Sequence, residues 1–160
     1  MRLTLYTDYA LRVLTYVGAH NGRLCSISEI AGAYGVSRHH LTKIVHDLGK
    51  AGFIESARGR TGGIRLARPA SAIGVGEVVR HTEEGFDLVN CAQCRITGAC
   101  RLTGILGEAV AAFLAVLDRY TLADLVALPD GLVALLGGGM DLPSAPLSGS
   151  ARALRKGAGA

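Results

Sequence analysis

Three of the chain's four cysteines fall within ten residues, in Asn90-Cys91-Ala92-Gln93-Cys94-Arg95-Ile96-Thr97-Gly98-Ala99-Cys100. Thiolates packed this closely suit a soft metal centre, an iron–sulfur cluster or zinc, in preference to a hard cation. Three of them leave a four-ligand site one short, so either another ligand arrives from elsewhere or the site stays open. For zinc the chain offers neither a second C-x2-C nor a closely spaced histidine pair nearby. His81, ten residues upstream of Cys91, is a weak fourth ligand. A thioredoxin-like pair would need a βαβ setting, which the pattern does not show. Purely structural thiols are the remaining alternative. Cys25 stands alone before Ser26 and reads as a small apolar residue.

The elements that must position these thiols belong to a chain of 160 residues, enough for one domain plus an appendage and for a core that needs no disulfide staples. Four cysteines without a basic, apolar leader predict a reducing cytoplasm, where thiols are ligands more than bridges. No apolar run approaches the roughly 18 residues a membrane span requires, which predicts a soluble protein. The net charge of +4 is unevenly spread. Between Arg38 and Arg68 stand seven basic residues (Arg38, Lys43, Lys50, Arg58, Arg60, Arg65, Arg68) against Asp47 and Glu55, an excess that suits a polyanionic partner. No nucleophile–base arrangement, carboxylate pair or nucleotide-binding loop emerges, so the chain reads as no enzyme.

Taken in order, Thr7 is positioned to cap a helix with Ala10, Leu11, Leu14, Val17 and Gly18 on one face and Asn21-Gly22 at its end. Asp8 lies in its first turn with Arg12 four residues on, a favourable helix-start charge in its own right. Ser26-Ile27-Ser28-Glu29 has capping-box spacing and opens a short helix that Gly35 closes. Ser37 then starts a second helix with Leu41, Ile44, Val45 and Leu48 inside and Arg38, His39, Lys43, His46 and Lys50 outside. Two short helices of this kind, the second basic on its free face, describe a helix-turn-helix that can enter a major groove. Ser37, Arg38, His39, His40 and Lys43 are its candidate DNA contacts, Arg38 for bases and the others for bases or phosphates. Phe53 to Ala57 and Ile64 to Leu66 read as strands flanking the basic loop Arg58-Gly59-Arg60-Thr61-Gly62-Gly63, a β-hairpin wing. Arg58, Arg60, Thr61 and Arg65 are its candidate contacts.

A helix is predicted over 73–84, with Val75, Val78 and Val79 inward. The longest helical signal runs from Cys100 to about Tyr120, where Leu102, Leu106, Ala109, Phe113, Val116 and Tyr120 alternate at four and three, the spacing of a coiled-coil seam. Ile105, Val110, Leu114 and Leu117 add apolar surface beside it, which favours homodimerisation. Thr121 to Asp124 repeats the capping-box spacing. The predicted fold is mainly α with a small β-hairpin. A winged helix-turn-helix domain occupies 1–84, a cysteine-rich cluster loop 85–101, a dimerisation helix and following short helix 102–136, and a disordered tail 137–160.

The opening Met1 to Arg12, the segment Tyr34-Gly35-Val36-Ser37-Arg38-His39-His40-Leu41, the wing Arg58 to Leu66 and Tyr120-Thr121-Leu122-Ala123-Asp124-Leu125 resemble the Rrf superfamily of winged-helix regulators, from Met1 to about Val126. Within it the likeness is to the nitric-oxide-sensing, NsrR-type branch, beside branches that govern iron–sulfur biogenesis and iron supply. The resemblance implies a dimeric repressor of nitric-oxide defence genes, bound to a double-stranded operator and controlled by an iron–sulfur cluster, [2Fe-2S] or [4Fe-4S]. It implies Cys91, Cys94 and Cys100 as thiolate ligands and Asp8, donated by the other protomer, as the remaining one. The C-x5-C from Cys94 to Cys100 agrees with that branch, and the C-x2-C from Cys91 to Cys94 is shorter than usual there.

Overall fold

Thr4, one turn before the expected Thr7, caps the first helix. The computed structural model describes residues 2–20, 22–59, 62–91, 94–96 and 100–127, so Arg60, Thr61 and the expected tail 137–160 lie outside the described residues. In it, α1 spans Leu5–Ala19, and Thr4 Oγ1 accepts the Thr7 N–H at 3.2 Å. Thr7 is fully buried, so its hydroxyl meets Thr4 Oγ1 at 3.0 Å instead of water. Helix α1 buries Ala10, Val13, Leu14 and Val17 at the centre of the core.

Helix α2, Ile27–Tyr34, has both halves of its capping box: the Glu29 N–H donates to Ser26 Oγ at 3.1 Å and the Ser26 N–H to Glu29 Oε2 at 3.4 Å. Gly35, at φ 62°, closes the helix in the left-handed region that glycine enters without a Cβ clash. The Arg23 guanidinium and the Tyr16 hydroxyl also bind Glu29, and Arg23 above all holds its carboxyl down to about 2. Helix α3, Arg38–Lys50, follows after three residues and buries the expected Leu41, Ile44, Val45 and Leu48. Ser37 occupies its N-cap position with no side-chain cap bond.

The wing is the antiparallel pair β1, Ile54–Ala57, and β2, Gly63–Leu66, with Glu55 opposite Arg65. Phe53, expected in the strand, precedes it. It is buried, and its carbonyl accepts the Ala67 N–H at 3.0 Å. Cys25 joins the hairpin from outside through two 2.9 Å backbone bonds to Ile64, and its side chain is fully buried as a free thiol, with burial pushing its pKa up.

A single 3-10 turn at Ala70–Ala72 and an extended, buried Ile73 precede α4, Val75–Thr82, which is shorter than the predicted helix over 73–84. Helix α5, Leu102–Leu117, buries none of its sixteen residues. Its C-terminal end is fastened to α4: Arg80 grips Asp118 through both carboxylate oxygens at 2.6 and 2.5 Å, and the Val75 N–H donates to Tyr120 O at 2.9 Å. Gly76 makes room for that grip, since a Cβ there would lie 2.1 Å from Asp118 Oδ1. Helix α6, Leu122–Val126, folds back so that Leu122 enters the α1 core. Among the described residues no helix is long and apolar enough to cross a membrane.

Candidate nucleic-acid interface and cysteine segment

The apolar quartet of α3 turns its other side outward, and Ser37, Arg38, His39, His40 and Lys43 are all exposed there. The His39 and His40 rings lie 6.3 Å apart at the start of the helix. Thr42 spends its hydroxyl on the Arg38 carbonyl at 2.9 Å. The unsatisfied N–H groups of the first turn add partial positive charge where the side chains are already basic.

The basic excess read from the sequence is partly neutralised in space. Arg65 pairs with its cross-strand neighbour Glu55 at 2.5 Å, and Arg68 binds Glu77 at 2.6 Å and the Ala72 carbonyl at 2.8 Å. Among the described residues Arg38, Lys43, Lys50 and Arg58 enter no ion pair. The cationic face therefore follows α3 and the exposed Arg58 at the wing. Arg65 joins it only by leaving Glu55, an exposed pair worth about 0–1 kcal/mol.

The cysteine segment leaves α4 past Gly85, running beside Arg2 and Leu3, which share a cleft with Phe86, Asp87 and Leu88. The Cys94 N–H donates to Cys91 O at 3.2 Å and the Cys100 N–H to Ile96 O at 2.9 Å, and Cys100 stands two residues before α5. Cys94 is exposed, and Cys91 and Cys100 are half-exposed. Thr103, in the first turn of α5, places its hydroxyl 3.5 Å from Cys91 Sγ, a contact that nothing in the spacing announces.

Asp8 lies half-exposed on α1, and Arg12 Nε donates to both its oxygens at 3.0 Å. The same guanidinium sits 5.6 Å over the Tyr34 ring. Among the described residues of one chain, no three His, Cys, Asp or Glu side chains converge where they would hold a metal ion. The donor chemistry fits a cluster: three accessible thiolates on one short segment, one of them beside a hydroxyl that can bond to sulfur.

Helix α5 is the apolar counterpart of the cationic face. Leu102 is 50%, Ile105 59%, Val116 45% and Tyr120 47% exposed. Leu106, Val110, Phe113, Leu114 and Leu117 are half-buried. The line left open is thus Leu102, Ile105, Ala109, Ala112 and Val116, spaced three, four, three and four, rotated from the seam read in the sequence.

Comparison with known proteins adds context to this geometry. Residues 3–128 match the family model described as Rrf2, an iron-dependent transcriptional regulator. Among solved structures, the chain is similar to CymR, the global cysteine regulator of B. subtilis, at 27% identity and a TM-score of 0.65, covering 81% of this chain and 99% of that one. The oxidised form of S. aureus CymR matches at 27% identity and a TM-score of 0.66, over 81% and 99%. T. potens IscR, at 24% identity, shares the fold with a TM-score of 0.67, covering 83% of this chain and 96% of that one.

Proposed function

This chain belongs to the Rrf2 family of transcriptional regulators, and from that premise we propose that it is a cytoplasmic, homodimeric repressor whose operator affinity is set by an iron–sulfur cluster responding to nitric oxide. The cluster would be held by Cys91, Cys94 and Cys100 with Asp8 of the partner subunit. The observation that carries this reading is the position of the cysteine segment, three accessible thiolates strung between α4 and an α5 whose apolar line is open to a second copy. A two-fold pairing there gives each thiol segment a second chain from which to draw its missing ligand. When bound, the cluster supplies iron that nitric oxide can attack.

The protein's own residues supply the rest. Helix α3 and the wing address DNA, with Ser37, Arg38, His39, His40, Lys43 and Arg58 as contacts and Arg60, Thr61 and Arg65 completing the wing. Arg38 is the base reader, because its planar fork can bond two acceptors of guanine, worth about 1–3 kcal/mol of discrimination. Arg38→Ala is expected to weaken operator binding by about that amount, with binding to random DNA nearly unchanged, in a fluorescence titration at fixed salt. Arg58→Ala is expected to weaken both alike and flatten the salt dependence.

A second signal, iron supply, is favoured by the iron-dependent description of the family. The test of both uses anaerobically purified protein. Visible absorption, with iron and sulfide in the sample, and an operator affinity that falls roughly 5- to 150-fold on exposure to nitric oxide are the expected outcome. Affinity that follows chelation but not nitric oxide selects iron supply. A colourless protein that binds its operator equally under all conditions sinks the cluster reading and leaves a zinc or redox-thiol role for the cysteines.

A further inference from the structure

The last turn of α4 is the root of the cysteine segment, and two polar ties bind it to other elements. His81 Nε2 lies 3.1 Å from Asp47 Oδ2 on α3, and the same oxygen accepts the Tyr6 hydroxyl of α1 at 2.9 Å. The Phe53 ring meets the His81 ring edge-to-face, with centroids 5.6 Å apart. Two residues on, Glu83 Oε1 accepts the Thr4 N–H at 2.8 Å and lies 3.1 Å from Thr4 Oγ1, the cap of α1. Thr4, Tyr6, Asp47, His81 and Glu83 line a cleft of about 490 Å³, with Lys43 and Glu84 also on its walls. Burial, then Asp47, pushes the Tyr6 phenol up to about 12, so it remains a donor. Burial raises the Glu83 pKa, but hydrogen bonds from Thr7 and Thr4 outweigh it and leave the carboxyl below its ordinary value, so it remains an acceptor.

The placement of these ties matters more than their strength. Asp47 stands one turn beyond Lys43 on the recognition helix, and Thr4 one turn before Asp8. A shift of the segment after Glu83 therefore pulls on the DNA-reading helix and on the turn that carries the expected partner-donated ligand. The His81 and Asp47 side chains are 34% and 38% exposed, so water reaches this tie.

We propose that His81, Asp47, Tyr6 and Glu83 are positioning residues that carry the state of the cysteine segment to the recognition helix, a linkage that rests on cluster control of DNA binding as read above. Because a linkage of this kind is a bistable element biased at one end, cutting it should equalise the two states without preventing cluster assembly. The test uses the full-length protein and its Glu83→Ala, His81→Ala and Asp47→Ala variants, which remove the acceptors and the imidazole outright. Operator Kd is measured with the cluster loaded and after its removal, alongside iron content and Tm. Wild type should show a Kd ratio of about 5- to 150-fold. The variants should keep full iron content while their ratio falls towards one. Tyr16→Phe, which removes the bond to Glu29 away from this cleft, serves as a control that should lower Tm and keep the ratio.

Variants that lose Tm and retain the wild-type ratio, or a control that shrinks it equally, would overturn the linkage. A wild-type ratio of one brings down the cluster-control reading itself and the linkage with it, and shows before any substitution is made.

Discussion

A chain carrying Ile105→Glu and Val116→Glu is expected to be a monomer in solution and to bind its operator at least about 100-fold more weakly, the usual scale of lost bivalency. Helix α5 has one charged residue, Glu108, in sixteen, and none of them is buried. A helix apolar nearly all round is stable in water only when something covers it. One line of it is half-buried, and Leu102, Ile105, Ala109, Ala112 and Val116 stay open. Full burial of an Ile, Leu or Val is worth about 1.5–3 kcal/mol, and these are already about half-covered, so each contributes roughly 1 kcal/mol when a partner covers the rest. A two-fold interface counts every position twice, so Leu102, Ile105 and Val116 together supply about 6 kcal/mol, comparable with the lower end of the cost of association. Two glutamates per chain place four carboxylates in that seam. Light scattering after size exclusion reads the oligomer, and a mobility shift with full and half operators reads the DNA. A variant that stays dimeric with unchanged affinity would assign the open line of α5 to another role.

That open line shows what spacing can and cannot reveal. Leu102, Leu106, Ala109, Phe113, Val116 and Tyr120 satisfy the seam alternation, yet so does the line through Ile105 and Ala112. The two lines share Leu102, Ala109 and Val116, and whether Leu106 and Phe113 or Ile105 and Ala112 complete the open one depends on the Arg80–Asp118 grip and the room at Gly76, contacts that join residues about forty positions apart. The helix-turn-helix was legible because its signals are local: a capping box, a left-handed glycine and an apolar quartet all act within one or two turns. Thr4 and Thr7 were ambiguous for the converse reason. Either can cap, and only the burial of Thr7 decides. The cleft joining Tyr6, Asp47, His81 and Glu83 was invisible, since its bonds span 34 to 79 positions in sequence. The thiols were legible as a closely spaced set, but the pairing of Arg65 with Glu55, which takes one arginine from the cationic face, needed the strand register.

Cys94→Ala is expected to leave the protein colourless under all loading conditions, whereas Asp8→Ala should take up iron and sulfide and lose them about 10- to 100-fold faster to a chelator. In the proposed site the thiolates would be the soft donors that hold iron and sulfide, so removing one would take away a strong bond. The carboxylate is the weaker donor, and its present engagement is cheap to break. An exposed pair such as Arg12–Asp8 is worth about 0–1 kcal/mol, so a metal centre can draw the carboxylate away. As a mere helix-start charge, Asp8 would contribute about 0.3–1 kcal/mol to stability and nothing to iron retention. Mixing the two variants separates donation between chains from donation within one. In a mixed dimer, the Asp8→Ala chain still offers all three thiolates and the Cys94→Ala chain still offers Asp8. Donation from the partner then rebuilds one complete site per dimer, and half of the wild-type iron should be retained at the wild-type rate. If the carboxylate came from the same chain, the mixed dimer would hold only fast-leaving iron, because the chain with the thiolates would be the one without the aspartate.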